Sequence, residues 1–215
     1  MIEPNTLHFQ VVPFDSIRIP VDSVVRRLGY AHGDIDRIDT GIRMMVEEEM
    51  RSAEGFLAPR GVCRFLDVDS RLHDEIAFRN TPFRIHSRQV TRMLAGSDPV
   101  VLFMVTIGPE LEAALGRLLK DGEITRAFIL DAIGSETADA LADDLHWNRI
   151  QESAEHLGFM VTPRFSPGYG DWPLTVQTDL AAQCGGERIG ISVTPSSLML
   201  PQKSVSAVLG WNRKG

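Results

Sequence analysis

The chain reads as an α+β fold, a central, mostly antiparallel twisted sheet with helices packed on it. Three observations predict this. Helical periodicity gathers in the first two-thirds of the sequence, while strand-like segments lie before and after it, without the regular alternation that builds a parallel sheet. The continuous apolar run Val100 to Val105 has the length and β-branched content of a buried strand. No Gly-x-Gly-x-x-Gly follows a strand, which argues against a dinucleotide-binding or Rossmann-type sheet.

The elements follow in order. The stretch to about Pro20 mixes short apolar pieces with prolines and reads as an edge strand or extended arm. A short helix lies around Val24 to Leu28, closed by Gly29. From about Asp34 to Gly55, Ile35, Ile38, Ile42, Val46 and Ala53 keep helical spacing, and the acidic run Glu47 to Glu49 reads as a solvated face. GVCRFLDV and FRIHS are strands separated by Asn80, Thr81 and Pro82, and a short helix follows Ser87. The apolar strand comes next. Gly108 and Pro109 then open a helix with Leu111, Leu115 and Leu118 on one face. A long helix runs to about Leu157, with Gly134 inside it as a sign of close packing. A strand through Val161, a Pro/Gly-rich loop, a helix from Pro173 to Gln183 and the strands ERIGISV and KSVSAVLGW complete the chain.

Composition narrows the function. The 215 residues are 43% hydrophobic and 24% charged, a balance that lets a core form without disulfide or metal. With 22 basic against 29 acidic residues the net charge is −7, which argues against a nucleic-acid backbone binder. The 2 cysteines, Cys63 and Cys184, lie far apart and read as buried unlinked thiols, as in a reducing cytoplasm. The start lacks the pattern of a secretory signal, and no apolar run approaches the roughly 20 residues of a membrane helix. A cytoplasmic protein that needs no metal of its own is the expectation.

The most informative segment is RFSPGYGDWP, Arg164 to Pro173. Arg164 offers a planar fork for a carboxylate. Gly168 and Gly170 permit positive φ or close backbone approach, and the prolines stiffen the loop. Tyr169 and Trp172 offer flat faces for a ring or a sulfonium. The segment therefore suits a small ligand bearing a carboxylate and a ring. It equally suits a rigid turn whose arginine pairs with a nearby aspartate and whose aromatics complete the core.

This segment resembles the activation domain of cobalamin-dependent methionine synthase, in which an arginine precedes a Pro-Gly-Tyr turn and a helix-opening proline. PVVLFMVTIGPELE is similar to that family's buried strand and following helix start, and SVTPSSLMLPQKSVSA to its threonine–serine–methionine–proline stretch and Ser-Val-Ser strand. ADALADDLHWNRI resembles its long helix. The likeness covers roughly residues 85–210, within an activation-domain-like core at 85–215, and is most specific over Arg164 to Ser206. Residues 1–84, an N-terminal arm with helices and strands, match weakly, and one compact domain overall is expected.

The resemblance implies a stand-alone protein that binds S-adenosylmethionine (SAM) and assists the reductive methylation of a corrinoid methyltransferase partner, with a flavodoxin-type electron donor. Cobalamin would come with that partner. Arg164 would take the methionine carboxylate, Ser166 and Tyr169 would line the ligand, Gly168 would make room, and Glu136 of the long helix would face the amino group. The role is accessory, with no catalytic residue assigned. Trp172 stands where the family has a cysteine, and the sequence stops before the family's paired-tyrosine segment. A scaffold for a corrinoid protein that has lost SAM binding is the alternative.

Other signals are weaker. Asp144, His146 and Arg149 approach the Asp-x-His-x-x-Gly pattern of a cobalt-ligating histidine, but the last position is wrong, and a solvent-facing or core-edge histidine is expected. His8, His32, His73, His86, His146 and His156 form no His-x-x-x-His pair. Ser196 and Ser197 lack a nucleophile-elbow frame. Met44, Met45 and Met199 read as core.

Overall fold

The computed structural model describes residues 2, 9–15, 17–30 and 39–214. Ile35, Ile38, His8 and His32 lie outside the described residues.

The sheet is built on β6 (Val100–Thr106), all of whose residues are buried. Side chains alternate across a strand, so one apolar run must supply two cores. Val101, Phe103 and Val105 enter one hydrophobic cluster, and Val100, Leu102 and Met104 enter the other. Antiparallel neighbours flank β6: β2 (Arg60–Leu66) on one side and β10 (Ser204–Arg213) on the other. Beyond them lie β1 (Gln10–Pro13) and β7 (Phe159–Val161), giving the order β1-β2-β6-β10-β7. Every pairing in this sheet is antiparallel. The expected arm is thus an edge strand, where Pro13 is tolerated.

The first cluster is covered by helices α1 (Val21–Arg27), α2 (Thr40–Ala53) and α5 (Ile124–Asp143), with Leu141 of α5 among its buried members. Asp39 caps α2 by accepting from the Gly41 amide at 2.8 Å. Helix α4 (Glu110–Lys120) packs on α5, and Gly134 marks the contact: a Cβ there would stand 2.8 Å from Leu111 Cδ2. The second cluster lies under a small sheet of β3 (Val68–Arg71), β4 (Glu75–Phe78) and β5 (Arg84–His86), with α3 (Arg88–Met93) and α7 (Gln177–Cys184). Trp172 also belongs to it, 1% exposed. Among the described residues no helix is long and apolar enough to cross a membrane.

Several expectations are corrected. The long helical stretch runs to His156 as expected, but not as α-helix throughout: it passes through a π-helical segment, Asp144–Ile150, into α6 (Gln151–His156). His146 lies in that stretch and is fully buried rather than solvent-facing or at the core edge; its Nε2–H donates to the Thr162 carbonyl at 3.1 Å. Burial lowers its pKa from the ordinary imidazole value. The acidic run on α2 is not uniformly solvated, because Glu49 is buried and paired with Arg126. Met44 and Met45 are exposed rather than core. ERIGISV is mostly a 3-10 turn, Gly186–Ile189, and only Ser192–Val193 is strand, paired as β8 with β9 (Met199–Leu200). The helix expected from Pro173 starts as a 3-10 turn at Leu174, and α7 ends at Gly185 in the left-handed region. Cys63 and Cys184 are buried and unlinked, and burial pushes the Cys63 thiol up to about 12.

Candidate functional site

The Arg164–Pro173 loop is fastened at both ends. At its start, Phe165 and Val208 of β10 exchange backbone hydrogen bonds of 2.9 Å each way, which sews the loop to the sheet. Within it, the Trp172 amide donates to the Tyr169 carbonyl at 3.0 Å and the Gly168 amide to the Trp172 carbonyl at 2.8 Å. Gly168 holds φ +90, where a side chain would be strained. Further on, Asp171 takes over the start of α3: it accepts from Ser87 Oγ and, at 2.8 Å, from the Arg88 amide. These bonds, that of Ser87 first and then those of the Gln89 and Arg88 amides, lower the Asp171 pKa.

Held this way, the loop forms one wall of a cleft of about 470 Å³. Arg164, Phe165, Ser166 and Tyr169 line it from the loop; Ser204, Val205 and Ser206 from β10; Gln177 from α7; and Asp139 from α5. The size falls in the range of small-molecule sites, about 300–1,000 Å³. The two flat faces of the loop divide their roles. Trp172 completes the core, while Tyr169 is 70% exposed at the cleft.

Of the sequence-derived residues, Arg164, Ser166 and Tyr169 come together here, and Gly168 shapes the turn between them without lining the cleft. Glu136 is not among the lining residues. It pairs with Arg27 at 2.5 Å, and the same guanidinium reaches Asp139 at 2.6 Å. One turn further along α5, Asp139 is the carboxylate at the cleft. Its spacing of three from Glu136 on a single helix face was the available signal. Gln177 and Ser206 also line the cleft and were not singled out in the sequence; a buried amide on a short helix carries no motif.

Arg164 also pairs, through Nη1, with Asp143. That contact realises the turn-and-ion-pair reading of the loop, yet it engages one of the guanidinium's five N–H donors. Cation and carboxylate therefore line one cleft together with hydroxyls and an amide, a set of groups that suits a zwitterion carrying a neutral body. Among the described residues no group of His, Cys, Asp or Glu is placed to hold a metal ion.

A curled antiparallel sheet with α1, α2 and α5 on one face and a small sheet with α3 and α7 on the other defines an α+β class of domain. No protein-family model matches the sequence. Among solved structures the chain is similar to the MetH reactivation domain bound to AdoHcy, with a TM-score of 0.72 and 15% identity over 97% of this chain and 79% of that one. The likeness is one of fold, and it agrees with the architecture expected from the sequence.

Proposed function

We propose that this chain binds SAM in the Arg164–Tyr169 cleft and acts as a stand-alone reactivation factor, presenting the methyl donor to a corrinoid methyltransferase in the cytoplasm. The observation that carries the reading is the convergence of Arg164, Ser166, Tyr169 and Asp139 on one cleft. The fold neighbour with AdoHcy bound supports it. Arg164 would hold the methionine carboxylate by charge-assisted hydrogen bonds, and Asp139 the ammonium. A zwitterionic amino acid needs one fixed cation and one fixed anion, and the loop and α5 supply one each. Tyr169, exposed at the rim, would cover the ring or the sulfonium.

The partner's corrinoid would supply the metal that accepts the methyl group. This chain's own work is orientation: fixed charges set the direction of the S–methyl bond, and the rigid loop keeps that direction without reorganisation. Calorimetric titration of SAM and of S-adenosylhomocysteine (AdoHcy) into the protein tests the reading. Binding is expected, and silence at millimolar ligand overturns it. A specific observation favours the alternative of a scaffold that no longer binds SAM, since Arg164 already has a carboxylate partner in Asp143. Silence in the titration, together with co-purification of a corrinoid protein, is the outcome that reading expects.

A further inference from the structure

The cleft contains one buried polar group that the protein does not satisfy. Gln177, the first residue of α7, is 2% exposed and lines the cleft. Its Oε1 accepts a hydrogen bond from Ser206 Oγ at 3.0 Å, and Ser206 on β10 is itself 3% exposed. Its Nε2 has no hydrogen-bond partner. Among the described residues lining this cleft, no other has an unpartnered buried side-chain nitrogen or oxygen. A buried donor without an acceptor costs free energy, and native proteins leave few of them. In this arrangement the amide gives its oxygen to Ser206 and turns its NH₂ to the other side.

The surroundings say what would meet it. The charged groups, Asp139 and Arg164, are more open to solvent, whereas Gln177 is buried, and Phe165, Leu174, Met199 and Val205 supply apolar side chains to the same lining. An amide donor among apolar side chains suits a neutral, flat, acceptor-bearing heterocycle rather than a charge. We propose that Gln177 is a specificity residue that reads a ring-nitrogen acceptor of the ligand's purine, with Ser206 as the positioning residue that holds its amide. This deepens the reading of the cleft as a SAM site and rests on it. An NH₂ edge on the base would meet another NH₂ and be rejected; a ring nitrogen would be accepted.

The test is a double-mutant cycle between protein and ligand. AdoHcy and its 1-, 3- and 7-deaza analogues, each lacking one ring-nitrogen acceptor, are titrated into the wild type and Gln177→Met. Gln177→Met should weaken AdoHcy by about 3- to 10-fold, the worth of one neutral hydrogen bond. One deaza analogue should lose a similar factor on the wild type and lose almost nothing further on Gln177→Met. Ser206→Ala, which frees the amide to rotate, should shrink that analogue's penalty and provides a second variant if Gln177→Met does not fold. Equal binding of all deaza analogues by the wild type overturns the inference while leaving the SAM reading intact, and so do losses that simply add. If the wild type binds no adenosyl ligand, the functional reading fails first and this inference falls with it.

Discussion

The two walls of the cleft are built on different principles. The loop wall is set by backbone: Phe165 is sewn to Val208, Gly168 turns at positive φ, and Asp171 is locked onto the start of α3. The helix wall is set by phase and depth along α5, where Glu136 and Asp139 share one arginine but only Asp139 reaches the cleft. A wall made by turn chemistry is specified by residue type. A wall made by a helix is specified by position to within one turn, about 5.4 Å, and residue type does not resolve that.

The largest expected effect comes from the loop wall. Arg164→Ala removes the fork and leaves the ligand carboxylate without its partner, a cost of about 2–4 kcal/mol, or roughly 30- to 1,000-fold in SAM affinity by calorimetry. Equal affinity for wild type and variant would place the site elsewhere. Next, the helix wall can be split by two matched variants. Asp139→Asn should weaken SAM by about 3- to 10-fold and Glu136→Gln by less than about 2-fold. The reverse order in the same titration would return the ammonium to Glu136.

Gly168→Ala sharpens the comparison through stability. It puts a side chain at φ +90, and unfolding in denaturant should show a loss of about 1–2 kcal/mol. The smallest effect is a pH dependence of the loop's anchor. Because the folded-state pKa of Asp171 is lowered, its contribution is present above the unfolded value, about 3.9, and is lost as pH falls through the lower folded value. Trp172 fluorescence should therefore begin to shift below about pH 4, and Asp171→Asn should remove that acid step.

Much of this was legible beforehand, and the exceptions have a common cause. The run Val100 to Val105 announces the central strand, because strand-length apolarity has few other uses. RFSPGYGDWP announces a fixed loop, because prolines and glycines act through backbone geometry that travels with the sequence. The strand Glu75–Phe78 was unreadable: its EIAF is too short to show a period, and its pairing with β3 and β5 is tertiary. The π-helical stretch was hidden for a similar reason, since nothing in DLHWNRI separates it from an α-helix. Met44 and Met45 misled because composition gives apolarity and not which face of α2 is covered. In the site, the cation and the turn could be read. The anion needed helix phase, and Gln177 needed the fold.

The ion pairs that hold the charged residues of the cleft have a consequence for its dependence on salt. Arg164 is already matched to Asp143, and Asp139 to Arg27. A zwitterion arriving there joins charges that are already matched and brings no net charge of its own, so the net charge of the site is the same in free and bound protein. Surface charges normally lose their pull as ionic strength rises and the Debye length shrinks toward about 3 Å at 1 M. Here screening weakens the resident pairs and the incoming ones together, and ligand affinity should stay nearly level across a salt series in which ordinary electrostatic capture would fall steeply.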